Sequence, residues 1–247
     1  LTNLAHKTRS LIEWTLSALY ARLLARDFFT GSKIHRTARL EEIGSRYGGW
    51  IIPVDFVREH SICYCVGVGE DITFDLRLIE RFGCLVYAFD PTPRAQAHVQ
   101  THARGVEKFR FFATGLWNED RVMRFYAHAN PASPSYSLVN LHRTDRFFEA
   151  HCKRLSAIMR EHGHRTIDLL KLDIEGAEYG VIDSLIEDRL DVGIICVEYD
   201  EVHSKRYAGY LERMKRSVAR LQDYGYALVA LKPKCNYTFV RKDLLAV

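Results

Sequence analysis

A chain of 247 residues can bury a full core and fits one α/β domain with additions. Hydrophobic residues make up 47% and charged residues 27%, which excludes a disordered chain, and no apolar run reaches the length of a membrane span. The 35 basic and 31 acidic residues leave a net charge of +4. These charges are spread along the chain and form no basic stripe with interleaved aromatics, so neither nucleic acid nor a membrane is expected as a partner.

The first segment, Leu4 to Phe29, carries Leu11, Ile12, Leu16, Leu19, Leu23 and Leu24 at helical spacing. It reads as a helical extension, residues 1–50, set before a larger domain, 51–247. It is either a helix packed on that domain or a lid or dimer element. Gly31 to Gly49 reads as an irregular connection. Beyond it, strands and helices alternate. Ser61–Val68, Cys84–Asp90 and Lys108–Thr114 read as strands, with helices over Ile72–Arg81 and Arg94–Arg104 between them. Between Arg121 and Arg165 the pattern breaks into a short strand (Val122–Tyr126), a loop with Pro131 and Pro134, and a helix from about Asp145. An insertion there would cover the strand ends. Its His142, Arg143, Arg146 and His151 could meet an acidic acceptor, but they also read as a solvated charged face. Thr166–Asp173 and Val192–Tyr199 read as strands, Ala177–Asp188 and Lys205–Gln222 as helices, and Tyr226–Leu231 with Tyr237–Val240 as a closing hairpin.

Such alternation predicts a doubly wound, mostly parallel sheet with a C-terminal antiparallel hairpin at or near one edge. The apolar runs Leu85–Phe89 and Ile194–Val197 suit central strands covered on both faces. Cys63, Cys65, Cys84 and Cys196 lie inside such runs, where a reduced thiol acts as a small hydrophobe. The spacing of Cys63 and Cys65 fits no zinc site. Reduced thiols suggest a cytoplasmic protein.

Three stretches carry chemistry. Val66-Gly67-Val68-Gly69-Glu70-Asp71 follows the first sheet strand, where glycines let the backbone turn and approach a ligand. A dinucleotide fingerprint wants Gly or Ala where Ile72 stands. Glu70 and Asp71 would repel a pyrophosphate but suit a ligand bearing an ammonium and a sulfonium. Asp90, ahead of Pro91 and Thr92, closes the next strand and could accept bonds from ribose hydroxyls or cap the following turn. By topology, Thr114 and Gly115 would border an adenine. In Asp168-Leu169-Leu170-Lys171-Leu172-Asp173-Ile174-Glu175-Gly176-Ala177-Glu178, Lys171 and Asp173 share one side of a strand. Burying them without a role would be costly. Glu198 and His203 stand at the end of the next strand and are candidates for an acceptor pocket.

The stretches Cys65–Asp75, Val86–Pro93 and Asp168–Glu178 resemble those of FkbM-type methyltransferases, including the methyltransferase-like group within that family. The resemblance covers about Ser61 to Tyr199. It implies a class I methyltransferase Rossmann-like fold, with S-adenosylmethionine as methyl donor and a hydroxyl on a sugar or small natural product as acceptor. Carried over by motif, Gly67, Val68 and Gly69 line the donor, Asp90 holds its ribose, and Asp173 borders the transfer site. The family's strand acid, two residues before the first glycine, is here Cys65, so Glu70 or Asp71 would have to substitute. Asp173 or His203 would act as base, with Glu198 orienting the acceptor and Lys171 nearby. A variant has Asp173 and its neighbours holding Mg²⁺. Two other readings stand beside this one: an NAD(P)-dependent oxidoreductase, and a catalytically degenerate Rossmann-like binding module, for which Cys65 speaks. A homodimer is compatible with any of them.

Overall fold

The computed structural model describes residues 13, 15–36, 39–129, 136–138, 140, 143–199, 209–232 and 235–246. Residues 15–24 are helical (α1). The 31–49 stretch, expected to be irregular, contains β1 (Leu40–Ile43), which forms an antiparallel hairpin with β2 (Trp50–Pro53). Trp50, Ile43 and Ile52 are buried against the main sheet, and this long-range burial outweighs the weak local pattern.

The alternation then proceeds as expected through β3 (Ile62–Val66), α2 (Thr73–Phe82), β4 (Leu85–Phe89), α3 (Pro93–His102) and β5 (Phe109–Phe112). Helix α3 begins where Thr92 accepts a bond from the Ala95 N–H and Pro93 fixes the first turn. Next comes a four-stranded insertion: β6 (Gly115–Leu116), β7 (Arg121–Ala127), β8 (Tyr136–Ser137) and β9 (Phe147–Lys153). The helix expected from Asp145 is therefore a strand followed by a shorter helix, α4 (Leu155–Glu161). Phe147–Lys153 alternates between its two faces and pairs in register with β7, a partner about 25 residues away that local periodicity does not reveal.

The chain returns to the main sheet with β10 (Thr166–Leu172), α5 (Glu178–Glu187), β11 (Asp191–Glu198), α6 (Tyr210–Asp223), β12 (Tyr226–Lys232) and β13 (Asn236–Arg241). The seven-stranded order is β12-β13-β11-β10-β3-β4-β5. Every ladder from β11 to β5 is parallel, and β13 runs antiparallel between β11 and β12. This is the doubly wound, mostly parallel sheet expected, with the antiparallel strand one place in from the edge.

One apolar layer packs α4, α5 and α6 on the face carrying Tyr64, Leu170 and Ile195. The other packs α2, α3 and the β1–β2 hairpin on the face carrying Cys63, Cys65 and Leu169. All six cysteines are buried and free, as expected of small apolar side chains. The chain order reverses between β3 and β10, and at such a point a crevice opens beyond the strand ends.

Candidate active site

The crevice holds a cavity of about 600 Å³, inside the ~300–1,000 Å³ range of small-molecule sites. Its wall includes Gly67, Val68, Gly69, Glu70, Asp71, Asp90, Pro91, Thr92, Gly115, Lys171 and Asp173, so most of the residues singled out in the sequence converge here. Thr114 is half-buried and stands just outside the wall, its N–H bonded to Phe112 O at 2.8 Å. Glu198 is also off the wall. His203 and His142 lie outside the described residues.

At Gly67 the chain adopts φ +77°, and a Cβ there would stand 1.7 Å from the Asp173 carbonyl oxygen. Only glycine lets the two strand-end loops approach this closely. The Gly67 N–H donates to Phe89 O at 2.9 Å, and the Asp173 N–H to Val66 O at 3.2 Å. Gly69, at φ +53°, faces open space, a cradle with room for a ligand.

Asp90 is buried. Its Oδ2 accepts the Gly69 N–H at 3.0 Å, and its Oδ1 accepts the Thr92 N–H at 2.8 Å and the Thr92 hydroxyl at 2.6 Å. Asp90 thus ties the glycine turn to the start of α3, as the capping reading expects, and Oδ2 keeps acceptor capacity.

Lys171 is 3% exposed. Its Nζ donates to Gly67 O at 2.5 Å and lies 3.2 Å from Asp173 Oδ2. Burial opposes its charge, yet the Asp173 and Asp75 carboxylates beside it raise its pKa above the usual lysine range. Among the described residues, Lys171 is the only lysine or arginine on the wall, against five carboxylates: Glu70, Asp71, Asp90, Asp173 and Glu175. Such a surface suits a cationic ligand and repels phosphates.

The two acids expected to substitute for a strand carboxylate both lie on the wall, with different partners. Asp71 accepts from the Ser45 hydroxyl at 2.6 Å and from the Thr73 N–H and hydroxyl at 3.0 and 2.6 Å. Burial works against its charge, but these bonds hold its carboxyl below the usual range. It fastens α2 to the β1–β2 turn. Glu70 is nearly half exposed and lies 3.7 Å from Arg94.

Beyond Asp173 the loop turns sharply. Glu175 is a non-glycine residue at φ +54°, a strained backbone position of the kind that gathers at ligand sites. Glu178 is buried and accepts the Ile174 and Gly176 N–H groups at 2.8 and 2.9 Å, so it braces this turn more than it complements a helix dipole. The Ser137 hydroxyl of β8 donates to Glu175 O, joining the insertion to the loop. Glu198, at the end of β11, accepts from the Cys235 thiol at 3.3 Å; burial, reinforced by the Asp173 charge, pushes its carboxyl up to about 8.

No sequence signal pointed to Phe125, Tyr136 and Leu138, which bring the insertion onto the cavity wall, or to His98 and His102, which line it from α3. Their positions depend on strand pairing inside the insertion and on which face α3 turns inward. Arg146, one of the basic residues considered for an acidic acceptor, instead donates to His128 O at 2.8 Å on the exposed side of the insertion. Among the described residues, no group of three or more His, Cys, Asp or Glu side chains is arranged to hold a metal ion, and no helix is long and apolar enough to cross a membrane.

Residues 62–228 match the family model of the methyltransferase FkbM domain. Among curated proteins, the chain is similar to probable methyltransferase-like protein 24 of Rattus norvegicus, at 30% identity over 151 residues, covering 58% of this chain and 35% of that protein. It is similar to the Homo sapiens protein of the same name, at 30% over 130 residues, covering 52% and 29%. The chain thus spans about a third of the length of these relatives. Among solved structures, Aeropyrum pernix fibrillarin in complex with S-adenosyl-L-methionine superposes with a TM-score of 0.43 at 10% identity, over 83% of this chain and 84% of that one. The matched span takes in every strand that frames the crevice, and the chain belongs to the FkbM methyltransferase domain family.

Proposed function

We propose that this chain transfers a methyl group from S-adenosylmethionine to a hydroxyl of a small acceptor, a sugar or natural product. The observation that carries the reading is the meeting of the Gly67–Gly69 turn, Asp90 and Asp173 around one carboxylate-rich cavity. When bound, adenosylmethionine supplies an electrophilic methyl group on a sulfonium.

The chain's own residues account for the rest. Asp90 accepts the ribose hydroxyls with the capacity that Gly69 and Thr92 leave it. The glycine turn gives the methionine tail room against backbone, and Asp173 sets a negative charge beside the cationic sulfur. Transfer to oxygen needs alignment and removal of a proton. Asp173, at the cleft, takes that proton in this reading, with His203 as the other candidate base. Glu198, off the wall, acts on the site through its electrostatic coupling to Asp173. Phe125, Tyr136 and Leu138 offer the acceptor an apolar wall, which suits the ring face of a sugar or an aromatic natural product.

Incubation with methyl-labelled adenosylmethionine and a panel of hydroxylated acceptors tests this. Label is expected in an ether stable to mild base. A chain that binds the donor yet labels only amines or thiols overturns the acceptor class.

A further inference from the structure

The leucine-rich stripe of the first segment has no part in that mechanism. Leu11 and Ile12 lie outside the described residues, but α1 turns three other members outward: Leu19 is 47% exposed, Leu23 67% and Leu24 57%, with Tyr20 beside them at 38%. The side chain that α1 buries completely is Ser17, whose hydroxyl has no hydrogen-bond partner among the described residues. A helix packed between a core and water does the reverse, hiding its leucines and showing its serines. Leucines held outward side by side mark a surface that meets something apolar. The charges around the ridge are of one sign. Between residues 15 and 36 the exposed charged side chains are Arg22, Arg26, Lys33 and Arg36, and none is ion-paired among the described residues. Arg26 and Lys33 face each other across an antiparallel bridge where the chain doubles back after α1. The single acid of this segment, Asp27, is buried and accepts from the Thr30 and Tyr237 hydroxyls and the Phe29 N–H.

We propose that α1 is a membrane-surface element, which lays Leu19, Tyr20, Leu23 and Leu24 into the headgroup boundary of an anionic bilayer while Arg22, Arg26 and Lys33 meet its phosphates. Leucine side chains on one flank and cations beside them are what such a boundary takes up, and tyrosine is at home there. The helix lies along the surface, since no described helix is long and apolar enough to cross. A second copy of the chain fits less well. A two-fold contact would set the same arginines against their own images, and four side chains about half exposed fall short of the ~800 Å² per partner of a standard interface. The 35 basic and 31 acidic residues of the whole chain conceal this local bias, which is why composition offered no reason to expect a membrane.

Co-sedimentation of the full chain with vesicles tests this, using phosphatidylcholine alone and phosphatidylcholine mixed with phosphatidylserine. Binding to the mixed vesicles is expected, and roughly tenfold or more weaker binding to phosphatidylcholine alone. L23S/L24S changes two exposed positions, so it is expected to keep the wild-type melting temperature and to lose binding on the order of tenfold. R22Q/K33Q leaves the apolar ridge intact and is expected to lose roughly tenfold through charge alone. No binding to either kind of vesicle, equal binding to both, or wild-type binding by both variants overturns the proposal. So does a concentration-dependent dimer in sedimentation velocity that L23S/L24S abolishes, which would give the ridge to a second copy of the chain.

Discussion

The two halves of the cleft are built differently. On the proposed donor half, three groups are fixed by short bonds between neighbouring strand ends: Gly67 to Phe89, Asp173 to Val66, and Asp90 to both Gly69 and Thr92. On the other half the cover is a small sheet whose described link to the Asp173–Glu178 loop is one hydroxyl, Ser137, bonded to a strained residue, Glu175. A site that must hold one unchanging ligand benefits from the first kind of construction. A wall that meets a variable acceptor can be built in the second way, on an insertion outside the main sheet.

That contrast can be broken most severely at Gly67. Gly67→Ala sets a methyl group into the Asp173 carbonyl and forces φ +77° on a residue that resists it. The expected cost is on the order of 3–5 kcal/mol. Melting should drop by roughly 10 °C, and adenosylhomocysteine should no longer raise it. A stable, ligand-responsive variant would mean that the loops do not need their close approach.

Asp90→Ala comes next. Losing charged hydrogen bonds to a ligand costs about 1.5–3 kcal/mol, so donor affinity should fall roughly 10- to 100-fold by calorimetry. An affinity within about twofold of wild type would remove Asp90 from the donor site.

Glu198 gives the comparison a pH axis. Its carboxyl is raised from the ordinary 4.5 to about 8 in the folded chain. Its contribution to stability is therefore fully present below pH 4.5 and is lost as pH rises through about 8, where folding must tolerate the buried charge. Denaturant unfolding of Glu198→Gln should show a flatter dependence between those values. A profile identical to wild type would assign that loss to other groups.

The smallest effects belong to the cover. Ser137→Ala removes one hydrogen bond, for a loss of about 1 kcal/mol. It should raise the acceptor KM several-fold while leaving the donor Kd alone. Glu175→Gly relieves the left-handed backbone and should cost nothing in stability, or add up to about 1 kcal/mol, while acceptor turnover falls. If either change weakened the donor as much as the acceptor, the division into halves would not hold.

The same division governs what the sequence discloses. The donor half is local: a glycine turn, a strand-end Asp90 and the Lys171–Asp173 pair each sit within a few residues of the strand that presents them, and strand ends follow from apolar runs. The cover is not local. Phe147–Lys153 looks helical beside Leu155–Glu161 until β7 claims it, and Phe125 and Tyr136 reach the cavity only through that pairing. Asp75 is hidden for another reason. An acid in an amphipathic helix reads as solvent-facing, and only the packed helix shows that this one is buried. Thr114 shows the limit of topological reasoning, since it stands one residue from the wall that its neighbour Gly115 joins.

The proposed grip on an adenosyl group is tested most directly by calorimetric titration of the unmodified chain with adenosylhomocysteine. Binding of one equivalent per chain is expected, with a matching rise in melting temperature through linkage. Absence of heat, together with a melting temperature unmoved at high ligand excess, would contradict the account at its centre.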